Sequence, residues 1–202
     1  MINHLLRSIS YILHPILMPF FGVVFYFAKS PRFIPEELIK AKLISLGILT
    51  IVLPILLYSL LRTLKKVNDY NLETTQERRI PLLLNCLIIL LVILRVMTVN
   101  EIPELYYFFV GILISNLVCL ILAYVNFKAS IHMIGAAGFF MFAVAISINF
   151  QINVNPTIAI MSVLIGAIAT SRLHMKAHSG LELIVGFCIG FIPQLIVLNY
   201  WL

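Results

Sequence analysis

The chain has 202 residues, 62% of them hydrophobic and 11% charged, against about 25% charged in a soluble domain. Mean hydropathy is +1.08 and the formal net charge is +6. This composition excludes a water-exposed globular domain, and it directs the positive balance toward lipid headgroups, phosphate and topology signals, not nucleic acid.

A membrane-spanning helix needs about 20 mostly apolar residues. Residues 8–28 carry no charge and predict a first span, interrupted by His14-Pro15 and Pro19. The sequence before it has a positive residue but no small-residue cleavage site, so this helix is expected to be retained. Residues 30–42 form a charged connection, and 43–61 a second span. The longest polar segment follows at 62–79, then a third span at 80–98 and a fourth at 105–127. No Asp, Glu, Lys or Arg occurs between Lys128 and Arg172, which leaves room for spans at 131–149 and 156–171. NFQINVNP (149–156) supplies the turn between them, and 181–201 gives a seventh span. The expectation is one all-α domain over 1–202, a polytopic bundle of six or seven helices. Helices satisfy their own backbone groups in lipid. Cys86, Cys119 and Cys188 lie far apart in apolar runs and read as small buried hydrophobes.

Helix counting brings distant segments together. The polar segments after the second, fourth and sixth spans are separated by even numbers of crossings, so all lie on one membrane face. Lys and Arg outside the candidate site divide almost evenly between the faces, so the positive-inside rule does not assign this face to a compartment.

On that face lies SRLHMKAHSGLE (171–182), an unusually polar dozen residues. His178 and Glu182 are four apart, and they share a helix face if the seventh helix starts near His178. A carboxylate there fixes the imidazole tautomer and leaves the other ring nitrogen as a directed nucleophile or base. Arg172 offers a guanidinium fork to phosphate oxygens, and free amides at a helix start suit an anion.

The spacing Ser171-Arg172, five residues, His178, three residues, Glu182 resembles the third signature motif of the type 2 phosphatidic acid phosphatase superfamily, which ends in Asp. Ala129-Ser130-Ile131-His132 keeps the Ser and His of the middle motif, Pro-Ser-Gly-His. Arg78-Arg79-Ile80-Pro81 is the nearest counterpart of the first motif, without its preceding Lys. The resemblance covers three ordered segments over residues 76–182. It implies an integral-membrane phosphatase of a lipid phosphate monoester or polyprenyl diphosphate, set in a bacterial cytoplasmic membrane. It further implies that His178 attacks phosphorus to form a phosphohistidine, that Glu182 orients it, and that His132 protonates the leaving oxygen. Arg172, Arg78 or Arg79, and Lys128 would hold the phosphoryl oxygens, with Ser130 beside them. No metal or other cofactor is called for, and the expected partners are the lipid phosphate and membrane lipids, with no nucleic acid.

Two other readings start from the same residues. His174, His178 and Glu182 at i, i+4 and i+8 would form a metal-binding ladder on one continuous helix. A non-catalytic membrane protein would use the basic face to bind anionic lipid. The remaining features read as packing and anchoring. Tyr106 to Phe109 and Tyr200-Trp201 suggest interfacial belts, and Gly135 to Gly138 suggests close helix approach. His14-Pro15 reads as a helix start or kink, and Asn85 and Asn116 as interhelical hydrogen-bonding groups.

Overall fold

The computed structural model describes residues 8–9, 12–67 and 74–202. The expected polar segment 62–79 therefore lies partly outside the described residues, as do residues 10–11 of the first expected span. The helices are α1 (Pro15–Lys29), α2 (Glu36–Thr63), α3 (Thr75–Val96), α4 (Pro103–Tyr124), α5 (Ile131–Phe150), α6 (Asn155–His174) and α7 (Gly180–Leu198). The last six are long and apolar enough to cross a membrane, and α1 is a shorter apolar helix. No strand occurs among the described residues, so the protein is an all-α polytopic bundle. Two helices, α3 and α4, separate Arg78 from Ser130.

Local chemistry sets the helix ends. Pro103 and Pro156 sit in the first turns of α4 and α6, where a missing N–H costs nothing. Thr74 caps α3 by accepting from the Glu77 N–H at 3.3 Å. Four helices end with a left-handed residue that is not glycine: Lys65, Asn126, Gln151 and Lys176. After α6, Lys176 N–H bonds the Leu173 carbonyl at 2.9 Å and Ala177 N–H bonds the Arg172 carbonyl at 3.1 Å. That is a Schellman ending, and it turns the chain sharply before α7.

Both α2 and α3 contain a widened π turn, at Ile48–Val52 and Val92–Val96. In α2 the cause is Pro54, which lacks the N–H that the Thr50 carbonyl would otherwise receive. Leu53 N–H instead bonds the Ile48 carbonyl, five residues back.

The tightest packing joins α5 to α7. A Cβ on Gly190 would meet the Ile134 carbonyl oxygen at 2.1 Å, and one on Gly186 the Ser130 carbonyl oxygen at 2.8 Å. Only glycine permits this approach. The expected small-residue stripe does pack closely: Gly138 faces the Gly190 backbone and Gly135 faces Met18. At the end of the bundle away from 171–182, fully buried Glu104 pairs with Arg32 at 2.7 Å. Glu104 also accepts from the Tyr26 hydroxyl at 3.1 Å and the Asn149 amide at 3.5 Å. This cluster ties α1, α4 and α5 together.

Two expectations need correction. Phe108 and Phe109 are buried, and Phe108 stacks on Phe142 with ring centroids 4.2 Å apart, so only Tyr106 and Tyr107 remain from the proposed belt. Consecutive helical residues point about 100° apart, so a run of four cannot all face one way. Cys86 and Cys119 are buried as expected, whereas Cys188 is exposed on the outer surface of α7.

Candidate active site

The Schellman turn at Lys176 brings His178 down against the segment that enters α5. Its Nδ1 lies 3.0 Å from Glu182 Oε2 and 3.1 Å from the Lys128 carbonyl oxygen. Both neighbours are acceptors, so Nδ1 carries the ring proton and donates it. In the neutral ring Nε2 then holds the lone pair. Burial of His178, which is 7% exposed, and then the Arg78 charge push its pKa well below the ordinary 6.5; the Glu182 hydrogen bond opposes this. The neutral, nucleophilic form is therefore favoured.

Glu182 has a second task. It accepts from the Ser179 N–H at 3.0 Å, while its own N–H bonds Ser179 Oγ at 3.3 Å, closing a capping box at the start of α7. The carboxylate that orients His178 is thus fixed by the helix it begins. Next to it, Ser130 N–H donates to the Glu182 carbonyl at 3.1 Å, so the start of α5 is pinned to the first turn of α7.

A cavity of about 220 Å³ opens beside His178. Its polar end is lined by His14, Arg78, His132, Arg172 and His178, and its walls are mostly apolar, from Pro54 and Leu57 on α2 to Phe139 on α5. Arg78 and Arg172 are 4% and 6% exposed. Arg78 Nη1 donates to the Ala129 carbonyl at 2.8 Å, which aims its fork beside the α5 start. The Nε of Arg172 has no hydrogen-bond partner, and among the described residues no carboxylate pairs with this guanidinium. A buried, unneutralised cation is costly to the fold, and an anion in the cavity would offset that cost.

The structure brings together five of the eight residues singled out by sequence. His178 and Glu182 touch, and His132, Arg172 and Arg78 line the cavity with His178. The other three take different positions. Arg79 turns away: its Nε donates to the Ala123 carbonyl at 3.3 Å and its guanidinium covers the Tyr124 ring at 4.8 Å. Of Arg78 and Arg79, then, only Arg78 reaches the cavity. Lys128 contributes its backbone carbonyl to His178, and its side chain is not part of the cavity wall. Ser130 is fully buried with its hydroxyl unpartnered, and it also lies outside the cavity wall.

The metal ladder is not formed. His174 ends α6, is exposed, and is separated from His178 by the turn at Lys176. Among the described residues no three His, Cys, Asp or Glu side chains gather closely enough to hold a metal ion.

Three cavity residues had been read from sequence as serving only other roles. His14 does cap the turn Pro15–Leu17 as expected, with Nδ1 accepting from the Ile16 N–H at 3.3 Å. The same ring lines the cavity and meets His132 edge-on, with centroids 5.6 Å apart. Asn85 and Asn116 also face the cavity, and the Asn116 amide nitrogen has no partner. Asn116 thus corrects the expectation of an interhelical bond. Sequence reading had placed His14 inside the first expected span, and nothing local marked it as more than a helix-start feature.

The arrangement provides a neutral imidazole with a directed Nε2, a second histidine, and two buried guanidinium groups in a largely apolar chamber. This set suits nucleophilic attack at a tetrahedral anion whose developing charge is held by fixed cations. Comparison with known protein families, characterised proteins and solved structures finds no match for this chain.

Proposed function

We propose that this protein is a membrane phosphatase acting on a lipid phosphate monoester or a polyprenyl diphosphate. One observation carries the reading. His178 has its Nδ1 proton committed to Glu182 and Lys128, and its ring forms the cavity wall beside Arg78 and Arg172. The motif resemblance to the type 2 phosphatidic acid phosphatases names the same nucleophile, and the proposed setting is the bacterial cytoplasmic membrane.

In the first step His178 Nε2 attacks the terminal phosphorus, an N–P bond forms, and the bond from that phosphorus to the leaving oxygen breaks, the ester oxygen in a monoester and the bridging oxygen in a diphosphate. His132 gives its proton to that oxygen. Water then attacks phosphorus with His132 as base, the N–P bond breaks, and inorganic phosphate leaves. Arg78 and Arg172 hold the equatorial oxygens throughout, and Glu182 stabilises the charge that develops on His178. The apolar walls suit a substrate bearing hydrocarbon next to its phosphate.

The test is phosphate release from a panel of lipid phosphates, with purified protein in chelator. Wild type is expected to turn over at least one class and His178→Ala none. Absence of release from every substrate, with lipid phosphate still bound, would replace the phosphatase with a non-catalytic anionic-lipid receptor.

A further inference from the structure

His14 stands just before α1, far in sequence from every motif residue, yet its ring lines the cavity against His132. Its hydrogen bonding fixes its chemistry. Nδ1 accepts the Ile16 N–H, so it cannot carry a proton. In the neutral ring the hydrogen must therefore sit on Nε2. This is the opposite tautomer to that of His178, where two acceptors hold the proton on Nδ1. Burial and then the Arg172 charge lower the pKa of His14, which keeps the ring neutral.

The two histidines are thus complementary: one presents a lone pair and the other an N–H. Pro15 at the first position of the following turn holds the His14 backbone extended, at φ −65° and ψ 134°, so the ring has a fixed support. Beside it lies Arg172, buried, with its Nε unpartnered.

We infer that His14 is a phosphate-binding residue, its Nε2–H donating to an oxygen of a phosphate group held by Arg172 and Arg78. His14, at the entry to α1, then completes the cradle, adding a neutral donor that a cluster of cations lacks. Neutrality has a consequence: it binds the oxygen without further stabilising a dianion over the transition state by full charge, and it leaves proton transfer to His132. The turnover part of this assignment rests on the phosphatase reading, but the binding part does not.

The experiment uses the full chain in detergent and two probes, inorganic phosphate and a short-chain lipid phosphate, measured by calorimetry and by phosphate release. His14→Asn is the decisive variant. Asn is a strong N-cap and retains an acceptor for Ile16, but its side chain is too short to place a donor where Nε2 stands. His14→Phe keeps the ring shape against His132 and loses the donor. Both variants are expected to weaken binding of both probes about tenfold or more, the scale of one hydrogen bond to a charged group, with His14→Asn keeping wild-type thermal stability. Weakening for the lipid phosphate alone would assign His14 to the headgroup ester in place of the phosphate oxygens and overturn the inference. Wild-type affinity in His14→Asn would reduce His14 to a cap and leave the phosphatase reading intact. Binding by wild type that is lost in His14→Asn, with no turnover in either, would keep the inference and reject the phosphatase. No binding of either probe by wild type would overturn both.

Discussion

His178 and Glu182 meet at 3.0 Å through Oε2, the same oxygen that accepts the Ser179 N–H and starts α7. Glu182 reaches far enough for one carboxylate to serve helix and imidazole together. Glu182→Gln keeps the shape but offers a neutral acceptor, and turnover is expected to fall roughly 10²-fold. Glu182→Ala is expected to lose turnover and also about 0.5–2 kcal/mol of stability through the cap. Glu182→Asp shortens the arm and is expected to fall between wild type and Glu182→Gln. Phosphate release and thermal denaturation check these, and wild-type turnover in Glu182→Ala would remove Glu182 from the mechanism.

The pH profile follows from the environment of His178. Its pKa lies below 6.5 because burial, and then Arg78, disfavour the imidazolium. Protonation of Nε2 removes the nucleophile, so kcat/KM is expected to stay level through pH 6.5 and to fall only at more acid values. Arg78→Gln removes a depressing charge and should shift that acid limb upward; Glu182→Gln removes a raising contact and should shift it down. Below pH 6.5 the unfolded chain binds more protons at this site than the folded one. Stability is therefore expected to decrease as pH falls through that window. An acid limb at or above 6.5 in the wild type would contradict the assignment.

Arg172 and the pair Arg78-Arg79 separate function from folding. Replacing the buried Arg172, whose Nε is unpartnered and which no carboxylate among the described residues pairs, with Met is expected to abolish phosphate binding while raising stability by about 1–3 kcal/mol, since an uncompensated charge leaves the interior. Arg172→Lys should not restore activity, because an ammonium lacks the planar fork. Arg78→Ala is expected to lose phosphate affinity, whereas Arg79→Ala keeps it within a few-fold, since Arg79 is engaged at the end of α4. Equal losses for Arg78→Ala and Arg79→Ala would contradict this placement.

The α5–α7 contact supports the site from below. Gly190→Ala would drive a methyl into the Ile134 carbonyl, 2.1 Å from the new Cβ. It is expected to cost about 1–3 kcal/mol and, by parting the two helices, to reduce turnover as well. Gly166 on α6 has nothing within 4 Å of its Cβ position, so Gly166→Ala should be neutral or slightly stabilising. Thermal melts of the two variants in one detergent give the comparison.

Much of the fold was legible because a span is a local property: about 20 apolar residues suffice, and each helix satisfies its own backbone. Parity then assigned Arg78, His132, Arg172 and His178 to one end of the bundle without any tertiary information. The His178–Glu182 pair was legible from its spacing, although His178 stands two residues before Gly180, where α7 begins, and reaches Glu182 from the turn that leads into the capping box. A break between the sixth and seventh spans was expected, but the sharp turn at Lys176 was not legible, because the left-handed ending falls on a lysine where glycine is the usual signal. That hidden turn is what separates His174 from His178.

What the sequence determined by itself was therefore the set of helices, the end of the bundle that gathers the polar residues, and the local partner of His178. The tertiary structure alone decided which of two adjacent arginines reaches the cavity, that Lys128 serves through its carbonyl, and that His14 joins the site. Neighbours such as Arg78 and Arg79 point about 100° apart. The rotation of α3 about its axis, set by packing against other helices, selects between them. His14 and His178 are distant in the chain, and only the closing of the bundle brings their rings to one cavity.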